Sequence, residues 1–334
     1  MKQPLRIGLL GAARIAPQAL LKPAAANKAV VVAAVAARDQ QRAHSLADRY
    51  GITRVHRTYT DLVADPALDA VYIPLPNSLH GTWTRQALEA GKHVLCEKPL
   101  AANAEEAARL ATLAAARGLV LMEAFHTLYH PLAARMKRIV QSGALGRIQR
   151  VEAHFCTLLY RRNDIRWNYA LGGGAMMDLG CYTVRLLRYL LDAEPIVERA
   201  TATCATPQVD RKMIVDLRFP GADGSMIAGK MSCAFWSRRL IRITARIVGN
   251  RGELFVINPL LPHLFHLLSV KQDGRRRFER CTGASTYTYQ LQAFVDAITN
   301  QTAPLSNGWD GVANMRVIDA AYAAAGLPLR QPFA

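Results

Sequence analysis

A chain of 334 residues, 51% of them hydrophobic, has material for about two domains with buried cores and excludes a disordered or fibrous protein. The formal charge of +17 raises nucleic acid as a partner. The basic residues, however, are scattered (Arg135, Lys137, Arg138; Arg161, Arg162; Arg238, Arg239; Arg275, Arg276, Arg277), without aromatic interleaving or zinc-knuckle spacing, so a solvated basic surface is expected and no nucleic-acid binding. No apolar stretch is long enough to span a bilayer, no signal-peptide core follows Met1-Lys2-Gln3-Pro4, and the six cysteines form no CxxC pair. These features predict a cytoplasmic protein with reduced thiols, no membrane association and no metal site.

Leu5 to Leu10 reads as a short apolar strand, followed by Gly11-Ala12-Ala13-Arg14-Ile15-Ala16 and helical sequence. This is the layout of a dinucleotide fingerprint: Gly11 allows the tight turn, a small residue at position 13 lets the backbone approach a pyrophosphate, and Ala16 allows close helix packing. Ala13 departs from the strict pattern, which has glycine there. The next strand, Val30 to Ala36, ends in Ala37-Arg38-Asp39. An acidic residue at this place usually meets a ribose 2′-hydroxyl and an arginine a 2′-phosphate, so Arg38 favours NADP, with Asp39 leaving NAD possible.

Short strands are predicted near Val55 and over Ala70 to Ile73, the latter entering Pro74-Leu75-Pro76-Asn77-Ser78-Leu79-His80. Pro76, Asn77 and His80 are candidates for the ribose or nicotinamide side of a cofactor; the alternative for Asn77 and His80 is capping of the following helix. His93 to Cys96 makes the next strand and delivers Glu97-Lys98-Pro99 at its carboxyl end. A lysine leaving a buried strand end is partly desolvated, which favours proton exchange near neutral pH. The plain alternative is a surface lysine paired with Glu97. A helix over Ala104 to Arg117 and a strand over Leu119 to Glu123 complete a right-handed doubly wound sheet, which puts the fingerprint, Arg38, Asn77 and Lys98 along one edge. The domain boundary is set after this strand, giving domains 1–124 and 125–334.

The second half changes character. After a helix over Pro131 to Ser142, strands are predicted at Ile148 to Phe155, Ile196 to Ala205, Lys212 to Phe219, Ser225 to Phe235, Leu240 to Val248 and Gly252 to Ile257. Strands in succession imply an open, mostly antiparallel sheet with one face left for a subunit partner, an α+β domain beside the α/β one. Helical periodicity returns at Tyr289 to Ile298 and Gly311 to Ala325, helices expected to return to the first domain. The segment Leu171 to Tyr182 interrupts the strands. Gly172, Gly173 and Gly174 permit close approach of a ligand, and Asp178 and Tyr182, four apart, are expected on one helical face. The alternative is a glycine-rich linker with Tyr182 as a core residue.

Together, Gly11 to Ala16, Pro76 to His80, Glu97-Lys98-Pro99 and the Gly172 to Tyr182 segment resemble the Gfo/Idh/MocA oxidoreductase family in order and spacing. Met122-Glu123-Ala124-Phe125, His130-Pro131 and Asp164-Ile165-Arg166-Trp167 resemble most the branch containing dimeric dihydrodiol dehydrogenase and NADP-dependent D-xylose dehydrogenase. The resemblance implies a Rossmann domain followed by an open antiparallel sheet, homodimerisation through that sheet, and hydride transfer between NADP and a hydroxyl-bearing carbon of a small polyol, aldose or dihydrodiol. It implies Lys98 as the catalytic lysine, Tyr182 as the acid/base and Asp178 as an orienting carboxylate. Gly173 and Gly174 would line the substrate crevice, and Arg166 is a candidate for closing it. A non-catalytic NADP-binding sensor or partner-docking protein is the alternative.

Overall fold

A computed structural model of the chain describes residues 3–159, 161, 163–237 and 241–333. Met1, Lys2, Arg162, Arg238, Arg239 and Leu240, which entered the reading of the sequence, lie outside the described residues. The chain divides into two units, one of Met1–His126, Tyr287–Val312 and Pro332–Ala334, the other of Thr127–Thr286 and Ala313–Gln331.

In the first unit the apolar runs become β1 (Leu5–Leu10), β2 (Val30–Ala36), β3 (Arg54–His56), β4 (Ala70–Ile73), β5 (His93–Cys96) and β6 (Leu121–Glu123). They form a parallel sheet in the order β3-β2-β1-β4-β5-β6. All four residues of β4 and three of the four in β5 are buried, as strands covered on both faces must be. A π-helical turn, Pro17–Leu21, runs into α1 (Lys22–Ala25); α2 (Gln40–Tyr50), α3 (Tyr59–Ala64), α4 (Asn77–Glu89) and α5 (Ala104–Ala116) follow successive strands. Their starts are chemically marked. Asp39 accepts from Arg42 N, Thr58 and Asp61 form a reciprocal capping box, and Asn103 accepts from Glu106 N, each cap worth about 1 kcal/mol. The strand order reverses between β1 and β4, and that reversal opens a crevice at the carboxyl edge.

The second unit holds α6 (Pro131–Gln141), β7 (Ile148–Cys156), a π-helical turn Met176–Gly180 continuing into α7 (Cys181–Leu191), and then β8 (Ile196–Thr206), β9 (Val209–Pro220), β10 (Met226–Ala234), β11 (Arg242–Gly249), β12 (Gly252–Ile257), β13 (Leu267–Gln272) and β14 (Arg275–Glu279). Among the described residues these strands make one sheet, β14-β13-β12-β11-β7-β10-β9-β8. Only β7 and β10 pair in parallel; the other neighbours are antiparallel, as expected. Val151, Ala153, Met213, Val215, Met231, Ala245, Ile247, Leu254 and Val256 are buried on one face, where α7 lies against β7 and β10. The alternate positions, Arg150, Glu152, Lys230, Arg242 and Arg246, stand on the other face.

Strands β13 and β14 escaped the sequence reading. β14 is Arg-Arg-Arg-Phe-Glu, almost wholly exposed at the sheet edge, where charged residues discourage edge pairing and erase the apolar signal. The chain closes with α8 (Thr286–Asn300) and α9 (Gly308–Ala324). No helix among the described residues is long and apolar enough to cross a membrane.

Candidate active site

In the first unit, parallel pairing brings the ends of β1, β2, β4 and β5 to one edge of the sheet. Gly11 leaves β1 with φ of +96°, a region favouring glycine, and an added β-carbon would stand 2.9 Å from Leu75 Cδ2. Its amide donates to Ala36 O at 2.6 Å, tying the loop to β2. Ala12, Ala13 and Ile15 are half-buried and Arg14 is exposed, so the loop is a shallow cradle at the start of a helical segment, which suits a dinucleotide pyrophosphate.

Arg38 and Asp39 are both exposed just beyond β2. They differ in what they already do: Asp39 Oδ1 accepts from the Arg42 amide at 3.1 Å and caps α2. The Arg42 guanidinium in turn donates to Ala12 O in the loop. Arg42 was missed in the sequence because its importance depends on the first turn of α2 folding back toward Gly11; an arginine one turn after a cap is an ordinary helix residue.

Pro76 is the N-cap of α4, and half-buried Asn77 is its first residue. His80 faces inward and is fully buried: Nδ1 lies 2.7 Å from Pro99 O, and Nε2 lies 2.8 Å from Leu75 O. The neutral ring donates to one of these carbonyls and lies against the other, so His80 sits between the two loops and caps nothing. Burial, the larger influence, pulls its pKa down to about 4, against the two carbonyls, which favour the protonated ring.

Half-buried Glu97 and Lys98 leave β5 together. Glu97 Oε1 accepts from Tyr72 Oη at 2.7 Å and Oε2 from the Lys98 amide at 3.3 Å. The Lys98–Pro99 peptide is cis. The amide of Leu100 donates to Oε1 of the fully buried Glu123 at 2.8 Å, so His80 and Glu123 hold consecutive residues of the turn that presents Lys98. The sequence places Glu123 in a strand and in the Met122 to Phe125 stretch that carries the branch resemblance, without a role in the site; a carboxylate in an apolar run was the signal available.

In the second unit, Asp164 N-caps the short 3-10 turn Ile165–Trp167 through Arg166 N at 3.1 Å. Arg166 Nε donates to Asp178 Oδ2 at 2.7 Å, and Nη1 to Asp164 Oδ1 at 3.1 Å. The negative charge of Asp178 raises the guanidinium pKa further. Gly173 and Gly174 are buried, with their amides donating to Asn168 O at 2.9 Å and Arg166 O at 3.0 Å. Asp178 lies inside the π turn and Tyr182 in the first turn of α7, half-buried and edge-on to Phe155 with ring centroids 5.8 Å apart. The helical segment that carries both residues opens with a π turn, which holds one residue more than an α turn. Among the described residues, no group of three or more His, Cys, Asp or Glu is placed to hold a metal ion.

Comparisons with known proteins agree with the fold of both units. Residues 5–125 match the GFO_IDH_MocA family model, described as an oxidoreductase family with an NAD-binding Rossmann fold, and residues 133–255 match the GFO/IDH/MocA C-terminal domain. D-xylose 1-dehydrogenase (NADP(+)) 2 of Haloferax volcanii is 34% identical over 323 residues, 96% of this chain and 97% of that one. A dTDP-3,4-didehydro-2,6-dideoxy-alpha-D-glucose 3-reductase of Streptomyces violaceoruber is 42% identical over 301 residues, 88% of this chain and 85% of that one. Among solved structures, KijD10, a 3-ketoreductase from Actinomadura kijaniata in complex with NADP and TDP-benzene, superimposes with a TM-score of 0.88 at 27% identity, covering 96% of this chain and 98% of that chain.

The brace at His80 has a pH signature. Unfolded, its imidazole takes a proton near the ordinary 6.5; folded, only near 4. The unfolded state thus binds more protons between these values, so the stability His80 lends is present above pH 6.5 and is lost as pH falls toward 4. Replacing His80→Gln is expected to cost about 1–3 kcal/mol at pH 7 and to flatten the fall in stability between pH 7 and pH 5. Urea unfolding at both pH values measures this; an unchanged pH slope would contradict the assignment.

Proposed function

Because the chain belongs to the Gfo/Idh/MocA oxidoreductase family, we propose that it is an NADP-dependent dehydrogenase interconverting a hydroxyl and a carbonyl on a small polyol, aldose or dihydrodiol. The observation that carries the reading is the set of groups at the carboxyl edge of the first unit's sheet: the Gly11 loop, Arg38 and Lys98 end three strands of one parallel sheet. NADP is favoured over NAD because Asp39 is engaged as a helix cap, while Arg38 and Arg42 supply guanidinium groups suited to a 2′-phosphate. The Haloferax relative carries NADP(+) in its name and KijD10 was solved with NADP, which supports the same choice.

When bound, the nicotinamide supplies or accepts the hydride. The chain's part is proton handling at the substrate oxygen. In the oxidative direction Tyr182, as the phenolate, accepts the hydroxyl proton on Oη and later releases it to solvent, and Lys98 Nζ stabilises the negative charge that develops on the substrate oxygen. Asp178, joined to Arg166, fixes the polar surroundings of Tyr182, and Gly173 and Gly174 keep side chains out of the crevice. Asn77 and Pro76 complete the cofactor side. A second copy of the chain is proposed to cover the sheet face bearing Glu152, Arg246 and Phe255, where a depression of about 230 Å³ opens. The six free cysteines suit a reducing compartment, and the cytoplasm is the proposed location.

Three measurements test these assignments. Lys98→Met and Tyr182→Phe are each expected to lower kcat at least tenfold (about 1.4 kcal/mol or more) while cofactor affinity, read by fluorescence titration, stays within about twofold. Full turnover in both variants on a substrate accepted by the unaltered protein would refute the chemistry. Arg38→Ala is expected to raise KM for NADP about tenfold or more and leave KM for NAD nearly unchanged; equal effects on both cofactors would reject the 2′-phosphate contact. For the sheet face, Phe255→Asp is expected to shift the sedimentation coefficient from dimer to monomer, and a wild-type monomer at micromolar concentration would end that proposal.

A further inference from the structure

The segment after α9 supplies a residue that no part of the reaction described above uses. Arg330 and Asp210 have fully buried side chains and are joined by Arg330 Nη2 to Asp210 Oδ1 at 3.0 Å. An ion pair wholly out of water is retained only where its remaining hydrogen-bonding positions are met, and here they are met by the glycine segment, by Met176, by Tyr322 and, for Arg330 Nη1, by Pro328 O at 3.1 Å. Arg330 Nε donates to Gly173 O at 2.8 Å, and Asp210 Oδ2 accepts from the Met176 amide at 2.7 Å. Tyr322 Oη on α9 donates to Asp210 Oδ1 at 2.9 Å, and its ring lies 4.1 Å from the Arg330 guanidinium carbon. Burial pushes the Asp210 carboxyl up to about 6, against the opposing pull of Arg330 and its hydrogen bonds, so it is ionised at neutral pH.

The glycine segment is thus held from two sides. On one, Gly173 N and Gly174 N bind the carbonyls of Asn168 and Arg166. On the other, Gly174, at φ of +130°, lies so close that an added β-carbon would meet Asp210, Arg330 Nη2 at 2.7 Å and Tyr322 Oη at 2.8 Å. Met176 opens the π turn containing Asp178, and that turn leads directly into the helix bearing Tyr182. We infer that Arg330 and Asp210 are positioning residues, a buried clamp whose grip on Gly173 O and Met176 N fixes the backbone from which Asp178 and Tyr182 project.

This inference deepens the functional reading of Asp178 and Tyr182 and rests on it, so its test has one readout that needs no turnover. The full chain is prepared with Arg330→Lys, Arg330→Met and the double change Asp210→Asn with Arg330→Met, which removes both charges together and keeps a folded comparison if the single change collapses the fold. Hydrogen exchange is followed over residues 168–182 and over β9 to β12, and turnover is counted per NADP-binding site on a substrate accepted by the unaltered protein. Loss of the clamp is expected to speed exchange in 168–182 at least tenfold with β11 and β12 unchanged, and to lower kcat per binding site at least tenfold with KM for NADP within twofold. Arg330→Lys, which keeps the charge but loses the fork, should fall between wild type and Arg330→Met. Unchanged exchange over 168–182, or kcat per binding site within twofold of wild type, overturns the clamp. If the unaltered protein turns over no sugar, polyol or diol, the functional reading fails while the exchange experiment still decides whether the clamp exists.

Discussion

The turn that follows β5 leaves the Pro99 carbonyl and the Leu100 amide buried, where a polar group without a partner costs on the order of 1–3 kcal/mol. His80 lies against the first and Glu123 accepts from the second. His80 also reaches the Leu75 carbonyl, so the loop after β4 and the turn after β5 share one buried imidazole. Glu123 is anchored at its own backbone too, since Ser306 Oγ donates to its carbonyl at 2.6 Å. The lysine at the end of β5 therefore projects from a backbone fixed on both sides, and so does the loop that opens α4. A flexible lysine becomes useful only when its base is immobile.

The second unit applies the same device with a different pair. Around Gly173 and Gly174 the backbone has no side chains of its own with which to fill space or make bonds, and neighbouring elements meet its polar groups. In both units a stretch of irregular backbone, the turn after β5 and the Gly172 to Gly174 segment, has charged or polar side chains buried behind it that remove its freedom.

Much of this was legible in the sequence, for reasons that can be traced. The parallel sheet was readable because its strands are short apolar runs, such as Ala70 to Ile73 and His93 to Cys96, separated by helices with clear caps and glycine ends. The order Gly11, Arg38, Asn77, Lys98 along one edge follows from topology once the connections are taken as right-handed. What stayed hidden depends on partners far away in sequence. Nothing around Arg330 announces burial, since arginine near Pro328 and Pro332 reads as surface chain, and its partner lies 120 positions earlier. Arg42 and Glu123 likewise gain their meaning from tertiary contacts with Ala12 and Leu100. Strand β14 was lost to a different cause: an arginine-rich edge suppresses the alternation by which strands are recognised. The excess of 17 positive charges has no single home, since Arg135, Arg199, Arg246 and Arg277 are each paired with a carboxylate. As a whole-molecule field it still draws polyanions such as a dinucleotide phosphate toward the protein.

The segments that begin at Gly11 and Gly172 both run into a π-helical turn, Pro17–Leu21 in the first unit and Met176–Gly180 in the second. A π turn is an α turn with one residue inserted. Chain length is consequently part of the specification at these two places in a way it is not in the surface loops. Removing a single residue within 176–180 would let the turn relax to regular α geometry while the segments on either side keep their register, so the residues that change direction are those inside the turn, Asp178 among them, without any change in the remaining side chains. Relatives that differ here by one residue in length would be expected to differ in chemistry, even where the letters at every aligned position agree.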